Sequence, residues 1–313
     1  MREEIKEKLK QQGLKMTKKN ILHMISPQEN VSPFDVNMAC DAGYDLVIPY
    51  TNVNLTDVKA LVQDAIFSRS VSNAKKTGVF ICGKDASLAL DMMDAAKKAM
   101  VPPFEISVFP DPAGSFTTAA AMVACTEKTL KEKFNTNFEN KNIIVYGGKG
   151  IVGGISAIMC AQHGAKCTIV GYDGINNVKK KSEEYKSRYN VDIIPGDGST
   201  DELNSSFLPD ADVIFCAARA GTQVISIDQL KLAKNVKVLA DVNAVPPAGL
   251  EGVGLKDDDE PHECGALSIG PLTSGDIKVK TQYQMFEKMC STEKPLYLNF
   301  DEALKTSREI LKL

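Results

Sequence analysis

Asn142-Ile143-Ile144-Val145-Tyr146-Gly147-Gly148-Lys149-Gly150-Ile151-Val152-Gly153-Gly154 decides the fold of this chain. Its first five residues are mostly apolar and β-branched, a run of the right length for a buried strand. They enter a glycine-rich turn, and a helical pattern follows from about Val152 to His163, where Gly164 stops it. Lys166-Cys167-Thr168-Ile169-Val170 reads as the next strand, and Asp173 stands 20 residues beyond Gly153. Gly148-x-Gly150-x-x-Gly153 set between strand and helix, with an acidic residue at that distance, is a dinucleotide-binding fingerprint. The glycines permit a tight turn and close backbone approach to a pyrophosphate. The helix start supplies free N–H groups and the positive end of its dipole. Gly148, Lys149, Gly150, Ile151, Val152 and Gly153 are therefore candidate cofactor-binding residues.

The neighbouring strand ends extend this site. Asp173 can accept both hydroxyls of an adenine ribose and would repel a 2′-phosphate, which favours NAD. Lys179-Lys180-Lys181 lies close enough in sequence to reach such a phosphate, so NADP stays open; as a plain helix face the same run is simply solvated. Ala217-Ala218-Arg219 follows the fourth strand of the same unit, where small residues let a dinucleotide backbone approach. Asp241-Val242-Asn243 ends the next strand, near where a nicotinamide should lie, and Asn243 is a cofactor candidate or part of a simple turn. Thr117 and Thr118 open an alanine-rich helix after Asp111-Pro112-Ala113-Gly114. They read equally as helix caps or as ligand contacts.

At 313 residues the chain can hold two domains, and its 43% hydrophobic and 25% charged composition is that of a soluble globular protein. A net charge of −3 gives no global field for nucleic acid or anionic membrane. The 8 cysteines contain no C-x-x-C pair and mostly sit in apolar runs, and the 3 histidines have no ligand spacing, so neither disulfides nor a metal are expected. No apolar stretch reaches bilayer length and no signal-peptide core is present, which points to the cytoplasm. A charged extension over 1–19, with Ile5, Leu9 and Leu14 as a thin apolar stripe, precedes the first strand.

Short apolar strands alternate with helical segments on both sides of a polar stretch from Phe134 to Lys141. This alternation predicts an α/β protein of two domains. An α/β substrate domain is expected over 20–133, completed by C-terminal helices in 280–313, and a Rossmann-type parallel sheet over 134–279.

Several separated stretches resemble the bacterial NAD(P)-dependent methylene-tetrahydromethanopterin dehydrogenases. They are Ser32-Pro33-Phe34-Asp35-Val36 with Asp41-Ala42-Gly43-Tyr44-Asp45, Tyr50-Thr51-Asn52-Val53, and Asp111-x-x-Gly114-Ser115-x-Thr117-Thr118-Ala119-Ala120-Ala121. The glycine turn, Ala240-Asp241-Val242-Asn243-Ala244-x-Pro246-Pro247 and Gly265-Ala266-Leu267-Ser268-Ile269-Gly270 complete the series. The resemblance implies hydride transfer from the methylene group of a tetrahydromethanopterin-type pterin to NAD(P), leaving a methenyl cation. It implies a pterin in the cleft between domains, positioned by Asp35, Asp41, Tyr50 and Asp111, and a homo-oligomer, trimer or hexamer. Family members that use NADP carry an arginine where Tyr172 stands, so Tyr172-Asp173 argues again for NAD. A substrate-side lysine of some relatives has its nearest equivalents here in Lys278 and Lys280.

Three alternatives remain: the same chemistry on tetrahydrofolate, a nucleotide-sensing homologue without turnover, and a small-hydroxy-acid dehydrogenase, for which no histidine stands in a base position. A looser similarity to methylene-tetrahydrofolate dehydrogenase/cyclohydrolases would place a hydrolytic lysine where this chain has Asn54. The purified protein should therefore show no cyclohydrolase activity, and appreciable hydrolysis of the methenyl product would contradict this.

Overall fold

The structure is a computed structural model that describes residues 18–313. The stripe of Ile5, Leu9 and Leu14 lies outside the described residues. The chain forms two compact units, each an α/β layer built on a mainly parallel sheet. The first contains the described residues up to Cys82 with Asp91–Phe109 and Phe286–Tyr297. The second contains Gly83–Leu90, Pro110–Met285 and Leu298–Leu313.

The first unit carries β1 (Ile21–Ile25), α1 (Pro33–Asp41), β2 (Leu46–Tyr50), α2 (Val58–Phe67), β3 (Thr77–Ile81), most of α3 (Ala86–Ala99) and β4 (Ser107–Pro110). Its strand order is β2-β1-β3-β4, with β1 parallel to both neighbours and Ile21 opposite Leu46 and Thr77. Every residue of β3 and β4 is buried, as continuous apolar runs covered on both faces should be. β2 lies at the edge and is largely exposed, which is where Pro49, unable to donate to a ladder, is tolerated.

The second unit has seven strands: β5 (Asn142–Tyr146), β6 (Lys166–Gly171), β7 (Ile193–Asp197), β8 (Val213–Cys216), β9 (Val238–Asp241), β10 (Asp258–Pro261) and β11 (Leu267–Ile269). Their order is β10-β11-β9-β8-β5-β6-β7. The pairs β11–β9, β9–β8, β8–β5, β5–β6 and β6–β7 are parallel, and only β10 joins antiparallel. The chain winds outward one way from β5 through β6 and β7, then returns to begin the other half at β8. The order therefore reverses between β5 and β8, and a crevice opens outside their carboxyl ends. Its helices are α4 (Ser115–Phe134), α5 (Ile151–Gln162), α6 (Ile175–Tyr189), the start of α7 (Pro271–Ser291) and α8 (Phe300–Leu311).

This division differs from boundaries drawn from composition at 133/134 and 279/280. α4 belongs with the seven-stranded sheet because it is buried almost all round, from Ser115 through Leu130, and so has to be enclosed by other elements. α5 and α8 enclose it, and Arg308 of α8 donates twice to Glu127 at 2.6 and 3.1 Å. The polar stretch after Phe134 is the turn that leads α4 into β5. Conversely Phe286–Tyr297 packs with the first unit. Phe286 lies 5.1 Å from the ring of Phe80, 5.3 Å from Phe109 and 6.3 Å from Tyr44. Two elements escape a periodicity reading. β10 is Asp-Asp-Glu-Pro, with no apolar face to reveal it, and α1 is too short and mixed to show a stripe.

Phe286→Ala should leave a cavity in the aromatic cluster of the first unit and cost about 3–5 kcal/mol, read as a lower midpoint in urea unfolding. A midpoint within error of wild type would remove Phe286 from the core.

Candidate functional site

The glycine turn sits at the carboxyl end of β5, at the reversal of strand order. Gly147 has φ +79°, in the left-handed region that favours glycine, and a Cβ on it would strike the backbone of Ala217 and Ala218. The turn after β5 and the loop after β8 thus touch backbone to backbone. A Cβ on Gly148 would lie 2.5 Å from Ile169, and one on Gly153 would lie 2.7 Å from the Gly147 carbonyl oxygen. Gly153 is what allows α5 to start directly against the turn. Gly150 is different: it is exposed, and its Cβ would meet only the Gly147 oxygen at 3.2 Å.

Gly150 is also the N-cap of α5 and has no side chain to cap it. The first-turn N–H groups of Ile151, Val152 and Gly153 have no partner within the helix and face the turn's open side. That donor set, a positive dipole end and a surface stripped of Cβ atoms fit the pyrophosphate of a dinucleotide. Tyr185 supports the turn from below. Its hydroxyl donates to the Gly148 carbonyl at 3.1 Å and occupies the space above Gly154. Val178, Ser182 and Tyr185 are the buried residues of α6, spaced as one inward helical face. That spacing is the signal by which Tyr185 could have been found in the sequence.

Asp173 follows β6, and the structure pairs its carboxylate with the ammonium of Lys149. Asn177 donates to the same carboxylate oxygen at 3.1 Å. The Lys149 hydrogen bond, more than any other influence, holds the Asp173 carboxyl below the usual carboxylate range. Tyr172 is 84% exposed, and the Lys149 nitrogen lies 5.9 Å from its ring centre. Lys179 and Lys180 are exposed, while Lys181 pairs with Glu184 at 2.8 Å.

On the β8–β9 side, Ala217 and Ala218 are half-buried and Arg219 is exposed. Asp241 is fully buried and organises the next loop by accepting the N–H groups of Asn243 at 2.8 Å and Leu250 at 2.9 Å. Burial pushes its pKa up, and the accepted bonds oppose that. The Asn243 amide oxygen accepts from Gly221 and Val245 at 3.2 and 3.0 Å, and its nitrogen donates to the Pro247 carbonyl at 2.9 Å. Asn243 therefore ties together the two loops that border the crevice.

Asp111, Thr117 and Thr118 also belong to this second unit, not to the substrate domain expected over 20–133, and Lys278 lies in the second unit as expected. The buried Asp111 accepts from the Phe116 and Thr117 N–H groups at 2.8 and 3.3 Å and from the Thr117 hydroxyl at 2.7 Å. Both threonine hydroxyls are engaged locally, Thr118 donating to the Gly114 carbonyl at 2.7 Å. Ala113 has φ 52° and Gly114 φ 63°, so two successive left-handed residues turn the chain into α4. For a residue with a Cβ such a conformation costs on the order of 1–3 kcal/mol, and such costs cluster at functional sites. Lys278 lies over this turn: its Cε and Nζ are both 3.2 Å from where a Gly114 Cβ would stand. Its ammonium also donates to the buried Gln282 at 2.6 Å. The structure thus brings Asp111 and Lys278 to one place; Gln282 was not visible in the sequence.

In the first unit, Asp35 is buried in the first turn of α1, and Tyr50 ends β2. The Tyr50 hydroxyl lies 3.1 Å from Nδ1 of His23. Burial, then the charge of Arg69, pushes the His23 pKa down, so the ring is neutral near pH 7. Asp41 is not brought to these residues. It is the exposed last residue of α1, beside the turn that returns the chain to the start of β2, whereas Tyr50 is at that strand's other end.

Fold and turn together define a Rossmann-type dinucleotide-binding protein. Among solved structures, 5-ketofructose reductase of a Gluconobacter strain matches 94% of this chain and 99% of its own with a TM-score of 0.52 at 16% identity. Quinate dehydrogenase from Corynebacterium glutamicum in complex with NAD matches the same shares with a TM-score of 0.51 at 13% identity. These likenesses concern the fold. A sequence profile described as methylene-tetrahydromethanopterin dehydrogenase, N-terminal, matches residues 33–113. The NAD(P)-dependent methylenetetrahydromethanopterin dehydrogenase of Methylorubrum extorquens is 47% identical over 293 residues, 93% of this chain and 99% of that protein. This chain belongs to the NAD(P)-dependent methylenetetrahydromethanopterin dehydrogenase family of oxidoreductases.

Gly150→Val should weaken NADH binding by about tenfold or more, since its methyls fill the pyrophosphate approach, with only a modest fall in melting temperature from its tight 3.2 Å contact with the Gly147 carbonyl oxygen. Gly153→Ala should instead lower the melting temperature, because its Cβ collides with backbone. Undiminished NADH affinity in Gly150→Val would sink the assignment of the turn.

Proposed function

We propose that this chain oxidises methylene-tetrahydromethanopterin to the methenyl form by direct hydride transfer to NAD(P), with NAD preferred, in cytoplasmic one-carbon (formaldehyde) oxidation. One observation carries the reading: the glycine turn closed by Asp173 occurs in a chain 47% identical, almost end to end, to a dehydrogenase of that name. The bound nicotinamide supplies the hydride acceptor. The carbon that gives up hydride bridges two nitrogens, and the resulting amidinium spreads its charge over both. No proton has to move, so no general acid or base is required. The protein's task is to hold donor and acceptor within near-attack distance, which by itself can lower a barrier by about 7–11 kcal/mol.

The residues divide that task. Gly148 to Gly153 hold the pyrophosphate, Asp173 takes the adenine ribose, and the exposed ring of Tyr172 offers a face for adenine. Ala217, Ala218 and the loop fastened by Asn243 border the nicotinamide. Thr117 and Thr118, engaged with the turn at Gly114, act by shaping α4's start. For the pterin we assign Asp111, Lys278 with Gln282, Asp35 and Tyr50 with His23, and drop Asp41. A homo-oligomer, trimer or hexamer, is expected, as the family resemblance implies.

Spectrophotometric assays of NAD and NADP reduction with methylene-tetrahydromethanopterin and with methylene-tetrahydrofolate test the reading. Higher kcat/KM with the methanopterin is expected; a preference for the folate would reassign the substrate, and no turnover with either would leave a nucleotide sensor. Asp173→Ala with Tyr172→Arg should raise NADP use relative to NAD, and an unchanged ratio would take Asp173 out of cofactor choice. Lys278→Ala should lower kcat/KM for the pterin by about tenfold with NADH binding intact. An equal loss of NADH affinity would place Lys278 elsewhere.

A further inference from the structure

We infer that Lys149, inside the glycine turn, is a switchable counter-charge that admits NADP to a site whose acidic residue selects NAD. The inference rests on the dinucleotide reading of the turn and goes beyond it by assigning cofactor choice to a residue of the turn itself. Asp173 is the group that receives the adenine ribose, so any cation within hydrogen-bonding distance of its carboxylate stands where a ribose 2′ substituent would stand. The structure places one cation there, the ammonium of Lys149.

Three observations make the lysine movable and not merely structural. The pair is partly exposed, with 26% of the Lys149 and 34% of the Asp173 side chain accessible, so neither charge is committed to a dry interior. Asn177 also donates to Asp173, so the carboxylate keeps a partner when the lysine leaves. The ammonium lies 5.9 Å from the centre of the exposed Tyr172 ring, a second favourable resting place beside the same ribose position. The charge is also held apart from the sequence's obvious lysine run: Lys181 is engaged by Glu184, and Lys179 and Lys180 are exposed on α6.

The two cofactors then meet different arrangements of the same atoms. With NAD, Asp173 accepts from the ribose hydroxyls and Lys149 stays with the carboxylate, neutralising it. With NADP, the 2′-phosphate takes the lysine as its partner. A charge-assisted bond to phosphate replaces the one to Asp173, and the repulsion between phosphate and carboxylate is screened by the ammonium between them. Without Lys149 the bare carboxylate would repel the phosphate and weaken NADP binding relative to NAD.

The test measures dissociation constants for NADH and NADPH by nicotinamide fluorescence, which needs no pterin and no turnover. In Lys149→Met the ratio of the NADPH to the NADH constant should rise by about tenfold or more over wild type. Lys149→Arg should hold the wild-type ratio within about threefold, because the charge is kept. Added salt should weaken NADPH binding more than NADH binding in the wild type, and Lys149→Met should lose most of that difference. Thermal melting of both variants accompanies the titrations, and Lys149→Gln replaces Lys149→Met if the latter melts early. An unchanged ratio in the neutral variants, including an equal loss for both dinucleotides, overturns the proposal and leaves Lys149 a general phosphate contact. Wild-type protein that binds neither dinucleotide overturns the reading of the turn on which the proposal stands.

Discussion

The backbone of Gly147 rests against the backbone of Ala217 and Ala218 with no room for a side chain between them. Everything else in the second unit is arranged around this contact. It joins the loops after β5 and β8, the two strands between which the sheet reverses direction, and so fixes the floor of the crevice. Gly148 brings the turn onto Ile169 of β6, and Gly153 brings α5 onto the turn. Tyr185 then locks the arrangement from α6 with one hydrogen bond to a carbonyl that the helix does not use. Four elements converge on a few residues that carry no side chains. The result is a turn stripped of side chains at the start of α5, whose first-turn N–H groups have no partner within the helix.

A second organising theme is the use of buried carboxylates to hold loops. Asp111 and Asp241 are both fully buried; Asp111 accepts from two N–H groups in the first turn of α4 and from the Thr117 hydroxyl, and Asp241 accepts from N–H groups of the loop that follows it. Each carboxylate loses hydration, and the accepted bonds offset that loss. The loops gain rigid positions at the ends of β4 and β9. In the first case the loop stores two left-handed residues and presents Gly114 to Lys278. Asn243 plays the same part with a neutral amide, tying the loops after β8 and β9 to one another. Several side chains that a motif reading marks as ligand contacts thus act by placing backbone.

The Rossmann unit was legible because its signals are local. An apolar run, a glycine turn, a helix stop and an acidic residue at fixed spacing reflect constraints within some thirty residues. The short polar strand Asp258–Pro261 and the helix Pro33–Asp41 were not legible, since neither carries an apolar period. Domain membership was not local either. α4 is alanine-rich and small on all sides, which says that it is enclosed but not by what, and the structure encloses it with α5 and α8. Asp41 shows the same limit: it falls in a shared motif with its neighbours, yet the end of a helix carries it away from Asp35 and Tyr50.

The sequence by itself determined that this is an α/β protein with a glycine turn between strand and helix and an acidic residue after the next strand, because each of these depends on residue type at short spacing. Tertiary structure decided which charges meet. Lys149 reaches Asp173 across 24 residues, Lys278 reaches Gly114 across the length of the second unit, and Tyr50 meets His23 on an adjacent strand. Coulomb and hydrogen-bond energies fall off within a few ångströms, so partners distant in sequence acquire their chemistry only when the sheet brings their strands and helix ends together.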